Sequence, residues 1–67
     1  MQVKINGKPQ TFDGERTIKQ VLEELNLPLH QGIAVALNYS VISRKKLAET
    51  RLRDGDKLEI IHATAGG

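Results

Sequence analysis

The spacing of apolar residues along this chain changes period twice. Residues 1–5 alternate, with Val3 and Ile5 on one side and Gln2 and Lys4 on the other, the signature of a half-buried strand. Asn6-Gly7 follows, a pair in which both residues tolerate positive φ, so the chain is expected to fold back as a tight hairpin. Residues 8–12 form the return strand, and Pro9, lacking an N–H, assigns it to a sheet edge or a strand start. After Asp13-Gly14 the period becomes helical. Ile18, Val21, Leu22 and Leu25 fall at i, i+3, i+4 and i+7 and make one apolar stripe. Thr17 and Gln20 have the spacing of a capping box, Asn26 suits the C-cap, and Pro28 stops the helix. Alternation then returns. Residues 33–37 place Ile33, Val35 and Leu37 on one face with Ala34 and Ala36 on the other. Asn38-Tyr39 predicts a turn and Val41-Ile42 a short strand. Residues 43–53 are polar apart from the anchors Leu47 and Leu52, and Asp54-Gly55-Asp56 turns the chain into a last strand over 57–62.

The order is strand, strand, helix, strand, short strand, strand. A hairpin, one helix and further strands suit a helix packed across one face of a small mixed sheet, with a right-handed crossover through that helix. This is the α+β, ubiquitin-like β-grasp arrangement. With one helix, the second sheet face stays open. Leu58, Ile60 and His62 fall on the core side by alternation, so Ile61 points to the open face, and Ala34 and Ala36 join it. An apolar side chain there is a candidate docking point.

Composition narrows what such a fold can do. At 67 residues the chain is one domain near the lower size limit for folding alone, and without Cys it has no disulfide or thiolate metal site. The absence of Cys also excludes a cysteine nucleophile or a side-chain persulfide. Phe12 and Tyr39 are the only aromatics, so Val, Ile and Leu must supply the core. A net charge of +2 says little about partners. No apolar run reaches the ~20 residues of a membrane span and no signal-peptide pattern is present, so a cytoplasmic protein is expected.

Side-chain chemistry is scarce. His30 and His62 are the only imidazoles and lie at no metal-ligand spacing from other donors. Asp54-Gly55-Asp56 has too few oxygens for Ca²⁺ and reads as a turn; no metal site is expected. Glu23-Glu24 reads as a solvated helix face. Arg44, Lys45, Lys46, Arg51 and Arg53 form a basic group without interleaved aromatics, a solvated loop rather than a nucleic-acid surface.

The C-terminus is different. Residues 1–62 read as the folded body and 63–67 as a flexible tail of small residues ending in Gly66-Gly67. Two residues without Cβ pass through a channel too narrow for side chains, and five extended residues reach roughly 17 Å. A compact body with such a tail suits a protein that offers its own carboxylate to a partner.

The element order, Val35-Ala36-Leu37-Asn38, the run Arg51-Leu52-Arg53-Asp54-Gly55-Asp56 and the final Gly66-Gly67 together resemble the ThiS family, sulfur carriers of thiamine thiazole biosynthesis. The resemblance spans the whole chain. The sequence departs from it at Tyr39, where a small or polar residue is usual, and at Leu47, where an aromatic is frequent.

The resemblance implies a protein substrate rather than an enzyme, monomeric when free and with no bound cofactor. A ThiF-like adenylyltransferase would use ATP and Mg to activate the Gly67 carboxylate. A cysteine desulfurase or rhodanese-type donor would then supply sulfur, and a ThiG-like thiazole synthase would use the resulting thiocarboxylate. Gly66 and Gly67 would carry this chemistry, with Ile61, Ala36, His62, Thr64 and Ala65 as docking residues. Three other readings share the fold: a MoaD-type carrier of molybdopterin synthase, a ubiquitin-like protein modifier, and a TGS-like binding module without tail chemistry.

Overall fold

A computed structural model describes residues 1–27 and 32–62. Its elements are β1 (Gln2–Ile5), β2 (Lys8–Thr11), α1 (Ile18–Glu24), β3 (Ile33–Leu37), β4 (Ser40–Ile42) and β5 (Lys57–His62), with a 3₁₀ turn at Arg44–Lys46. The strands make one sheet in the order β2-β1-β5-β3-β4. β5 runs parallel to β1 and antiparallel to β3, so the last strand of the chain occupies the centre of the sheet. β2, which carries Pro9, is an edge strand, where a missing N–H costs no ladder bond.

Helix α1 is short, and local sequence defines both of its ends. Thr17 Oγ1 accepts from Gln20 N at 3.2 Å while Gln20 Oε1 accepts from Thr17 N at 2.8 Å, closing the capping box. The remaining first-turn amides are met by the 43–53 segment. Ile18 N donates to Thr50 O and Lys19 N to Leu47 O. At the other end Leu25 is the C-cap, and Asn26 lies one residue beyond it at φ +56°. Leu27 N donates to Leu22 O at 2.8 Å and Asn26 N to Glu23 O at 3.1 Å, the paired bonds of a Schellman motif. Pro28 and His30 lie outside the described residues.

Ile18, Val21 and Leu22 of α1 meet Val3 and Ile5 of β1, Ile33 and Val35 of β3, and Leu58 and Ile60 of β5 in one apolar core. Leu47 and Leu52 are buried in it and tie the 43–53 segment to the helix side. The core stops at Ile33 and Ile60. His62 is exposed, which corrects the expectation from alternation that it shares the core face. Length explains this: a seven-residue helix is about 10 Å long, whereas a six-residue strand runs about 20 Å, so the last rung of β5 extends past the helix.

The Asp54-Gly55-Asp56 turn is structural. Asp54 Oδ1 accepts from Gln2 N at 2.7 Å and Asp56 Oδ2 from Arg53 N at 2.8 Å, while Gly55 N donates to Gln2 O. Asp54 holds the entry to β5 against β1, and Asp56 closes the turn on Arg53 and accepts from Asn38 Nδ2.

Candidate functional site

β5 leads to the C-terminal residues, and its neighbours shape the surface there. Register with β1 covers Lys4↔Lys57 and Ile5↔Leu58; beyond that β1 has turned away. The amide of Ile60 would be left without a ladder partner, and Asn6 Oδ1 accepts it at 2.8 Å. The other side of β5 is fully paired with β3, from Leu37↔Leu58 to Ile33↔His62. The strand that precedes the tail is therefore fixed to its last residue.

Partners directly opposite in an antiparallel ladder share a face. Ile61 lies opposite Ala34, and Ala36 lies between Glu59 on β5 and Val41 on β4. The open face thus presents Ile61, 44 % exposed, and Val41, 69 % exposed, separated by the two alanines. Ile61 is placed where alternation put it. Ala36 is on the expected face but is buried at 5 %, because its methyl group sits between two longer cross-strand neighbours. It forms the floor of the patch rather than a contact on its surface. His62, at the strand end, is exposed and stands nearest the tail. Thr64, Ala65, Gly66 and Gly67 lie outside the described residues.

The sequence reading missed Val41 as part of this face. The signal was available: a two-residue turn at 38–39 fixes Leu37 opposite Ser40 and Ala36 opposite Val41, so Val41 inherits the face of Ala36. The charged loop offers no comparable surface. Arg51 pairs with Glu15 at 2.8 Å and Lys46 with Glu49 at 3.9 Å. Arg16 pairs with both Glu24 and Asp13, and the Glu24 hydrogen bond raises the guanidinium above its ordinary pKa. Among the described residues no three His, Cys, Asp or Glu side chains gather as metal ligands, and no helix is long and apolar enough to cross a membrane.

The described body thus carries an apolar patch beside a strand end and no group suited to catalysis by itself. The family model for ThiS matches residues 3–67, which is nearly the entire chain. The chain belongs to the ThiS family. ThiS-family likeness extends to structure: the crystal structure of the thiamine biosynthesis protein ThiS from Geobacter metallireducens superposes with a TM-score of 0.86, at 32 % identity over all of both chains. The sulfur carrier protein ThiS of Thermus thermophilus is 38 % identical over 63 residues, 94 % of this chain and 95 % of that protein. A thiazole synthase of Paramagnetospirillum magneticum is 33 % identical over the whole of this chain, which spans 20 % of that enzyme's length. Its ThiS-like part is a small fraction of a much longer protein. As a member of the ThiS family the chain is a sulfur carrier of thiamine biosynthesis and not itself an enzyme.

Proposed function

We propose that this ThiS-family chain carries sulfur on the carboxyl group of Gly67, as a thiocarboxylate destined for thiazole formation. The observation that carries the proposal is the family match, which runs through the Gly66-Gly67 end itself. The chemistry follows from the properties of a carboxylate. With a pKa of about 3.3–3.7 it is anionic at neutral pH and a poor electrophile. An adenylyltransferase of the ThiF type, using ATP and Mg, converts it to an acyl-adenylate and releases pyrophosphate. The terminal sulfur of a persulfide on a desulfurase or rhodanese-type donor displaces AMP to give an acyl disulfide. A dithiol reductant supplies the two electrons that cleave its S–S bond, leaving the Gly67 thiocarboxylate and the donor thiol. The thiocarboxylate is a soft nucleophile, and a ThiG-like thiazole synthase is its acceptor. Support for that acceptor comes from the ThiS-like stretch within the Paramagnetospirillum thiazole synthase. Dependence on ATP and on a sulfur donor supports a cytoplasmic setting for the cycle.

The body contributes position. Ile61 and Val41 supply apolar contact over the Ala34 and Ala36 floor, and His62, Thr64 and Ala65 complete the docking residues of this reading. Gly66 and Gly67 admit the nucleotide and the sulfur donor to the carbonyl because neither carries a Cβ.

Intact-mass spectrometry tests this directly. The protein is incubated with a ThiF-type enzyme, ATP, Mg, a sulfur donor and a dithiol reductant. The expected result is a mass gain equal to replacement of one oxygen by sulfur, mapped to Gly67. Gly67→Val is expected to fold normally and fail to support ATP–pyrophosphate exchange, and one residue added after Gly67 is expected to abolish sulfur transfer. Normal exchange with Gly67→Val would sink the proposal.

A further inference from the structure

Three surface grooves stand out among the described residues. Two lie at the start of α1, among Glu15, Arg16, Gln20, Glu24 and Arg51, and their charges are already paired with one another. The third is different. It is a groove of about 240 Å³ on the open sheet face, lined by Lys4, Gly7, Tyr39, Lys57, Leu58 and Glu59.

Lys4 and Lys57 are direct neighbours across the β1–β5 ladder, on one face and both exposed. Like charges opposite each other destabilise a sheet. Neither ammonium has a carboxylate within ion-pairing distance among the described residues, although Glu59 lines the same groove. Glu59, two residues along β5, makes no ion pair with them. Asp54 and Asp56, at the foot of the strand, accept from the amides of Gln2 and Arg53. Beside this pair stands Tyr39. Its φ is +72°, in the left-handed region that disfavours a bulky side chain, and it is 75 % exposed, so burial gives no return for the strain. What the ring does touch is Lys57, whose Nζ lies 5.7 Å from its centroid. A cation pair with no ion-pair partner and a strained, solvent-facing aromatic share one groove, and the exposed cation–π contact with Lys57 is a small return for both.

We infer that this groove is a second docking point, which receives a carboxylate-bearing surface of the enzyme that adenylates Gly67. The inference rests on the sulfur-carrier reading above. Electrostatics favour that enzyme. Its catalytic pocket must be cationic to hold ATP beside an incoming carboxylate, so an acidic recognition surface has to lie well away from it. Lys57 and His62 are at opposite ends of β5, roughly 17 Å apart, which provides that separation. A second copy of this chain is a poor occupant, since it would bring two more lysines to the same place.

The test is ATP–pyrophosphate exchange by the cognate adenylating enzyme with carrier concentration varied. The charge-reversed double variant Lys4→Glu/Lys57→Glu is expected to raise the carrier KM about tenfold with kcat unchanged, and added salt to narrow the gap from the wild type. Tyr39→Gly is expected to raise KM about threefold to fivefold while its thermal midpoint stays the same or rises, which separates docking from folding. Lys57→Arg retains the wild-type KM. An unchanged KM in both disruptive variants, or a loss confined to sulfur transfer to the thiazole synthase, overturns the inference and leaves the carrier function intact. Binding of the wild type to a single-stranded oligonucleotide, lost on charge reversal, overturns it in favour of a nucleic-acid partner. If the wild type itself supports no exchange, the carrier chemistry falls and the groove inference falls with it.

Discussion

The sheet has two hairpins built on one plan, and they differ at a single turn position. Asn6-Gly7 joins β1 to β2 and Asn38-Tyr39 joins β3 to β4, each with two residues and positive φ at both (51° and 84°, then 48° and 72°). In each, the leading Asn reaches across to β5: Asn6 Oδ1 accepts from Ile60 N at 2.8 Å, and Asn38 Oδ1 from Lys57 N at 3.0 Å. The first hairpin follows with Gly, which adopts the turn without strain. The second uses Tyr. Tyr39 therefore carries backbone strain that its twin avoids, and its ring lies over the Lys57 ammonium.

Four substitutions probe that contrast, taken from the largest expected effect downward. Asn6→Ala leaves the half-buried Ile60 amide without an acceptor and puts a Cβ-bearing residue at positive φ, for an expected loss of about 2–3 kcal/mol in urea unfolding. Asn38→Ala removes two side-chain bonds at the exposed end of β5, one from Lys57 N and one to Asp56 Oδ1. Because both are solvated, the same measurement should show a smaller loss of about 1–2 kcal/mol. Equal losses at the two sites would mean that burial does not distinguish the hairpins. Gly7→Ala meets no atom within 4 Å of the new Cβ, so only the backbone angle opposes it, at about 1 kcal/mol. Tyr39→Gly runs in the opposite direction: a gain of about 0.5 kcal/mol, or a melting point higher by a few degrees, because strain relief exceeds the entropy cost of Gly. A clear loss of stability in that variant would show that Tyr39 belongs to the fold after all.

Most of the architecture was legible because local signals agreed with one another. Asn6-Gly7, the capping box of Thr17 and Gln20, the stripe Ile18-Val21-Leu22, and the alternation in 33–37 each specify one element, and the elements admit few arrangements. Two features were hidden from single-strand reasoning. Ala36 is closed over by Glu59 and Val41, and His62 extends past the short helix; both depend on what stands across a ladder or how far a neighbour reaches. The groove at Lys4 and Lys57 was illegible for the same reason, since residues 53 apart in sequence become neighbours only once the parallel register is set. On the candidate site, alternation identified Ile61, while Gly66 and Gly67 were singled out by their terminal position and missing Cβ atoms and lie outside the described residues.

The central place of β5 also decides how the molecule bears a mechanical load. A partner that draws the chain in by residues beyond His62 pulls along the strand axis, and β5 is held on both sides, by β1 near its start and by β3 along its length. Ladder hydrogen bonds lie across that axis, so they share the force in shear and must fail together. An edge strand pulled from one end outward would instead unzip bond by bond. Under the carrier chemistry proposed above, the folded body acts as a stop that ends at His62 while the reaction takes place at Gly67.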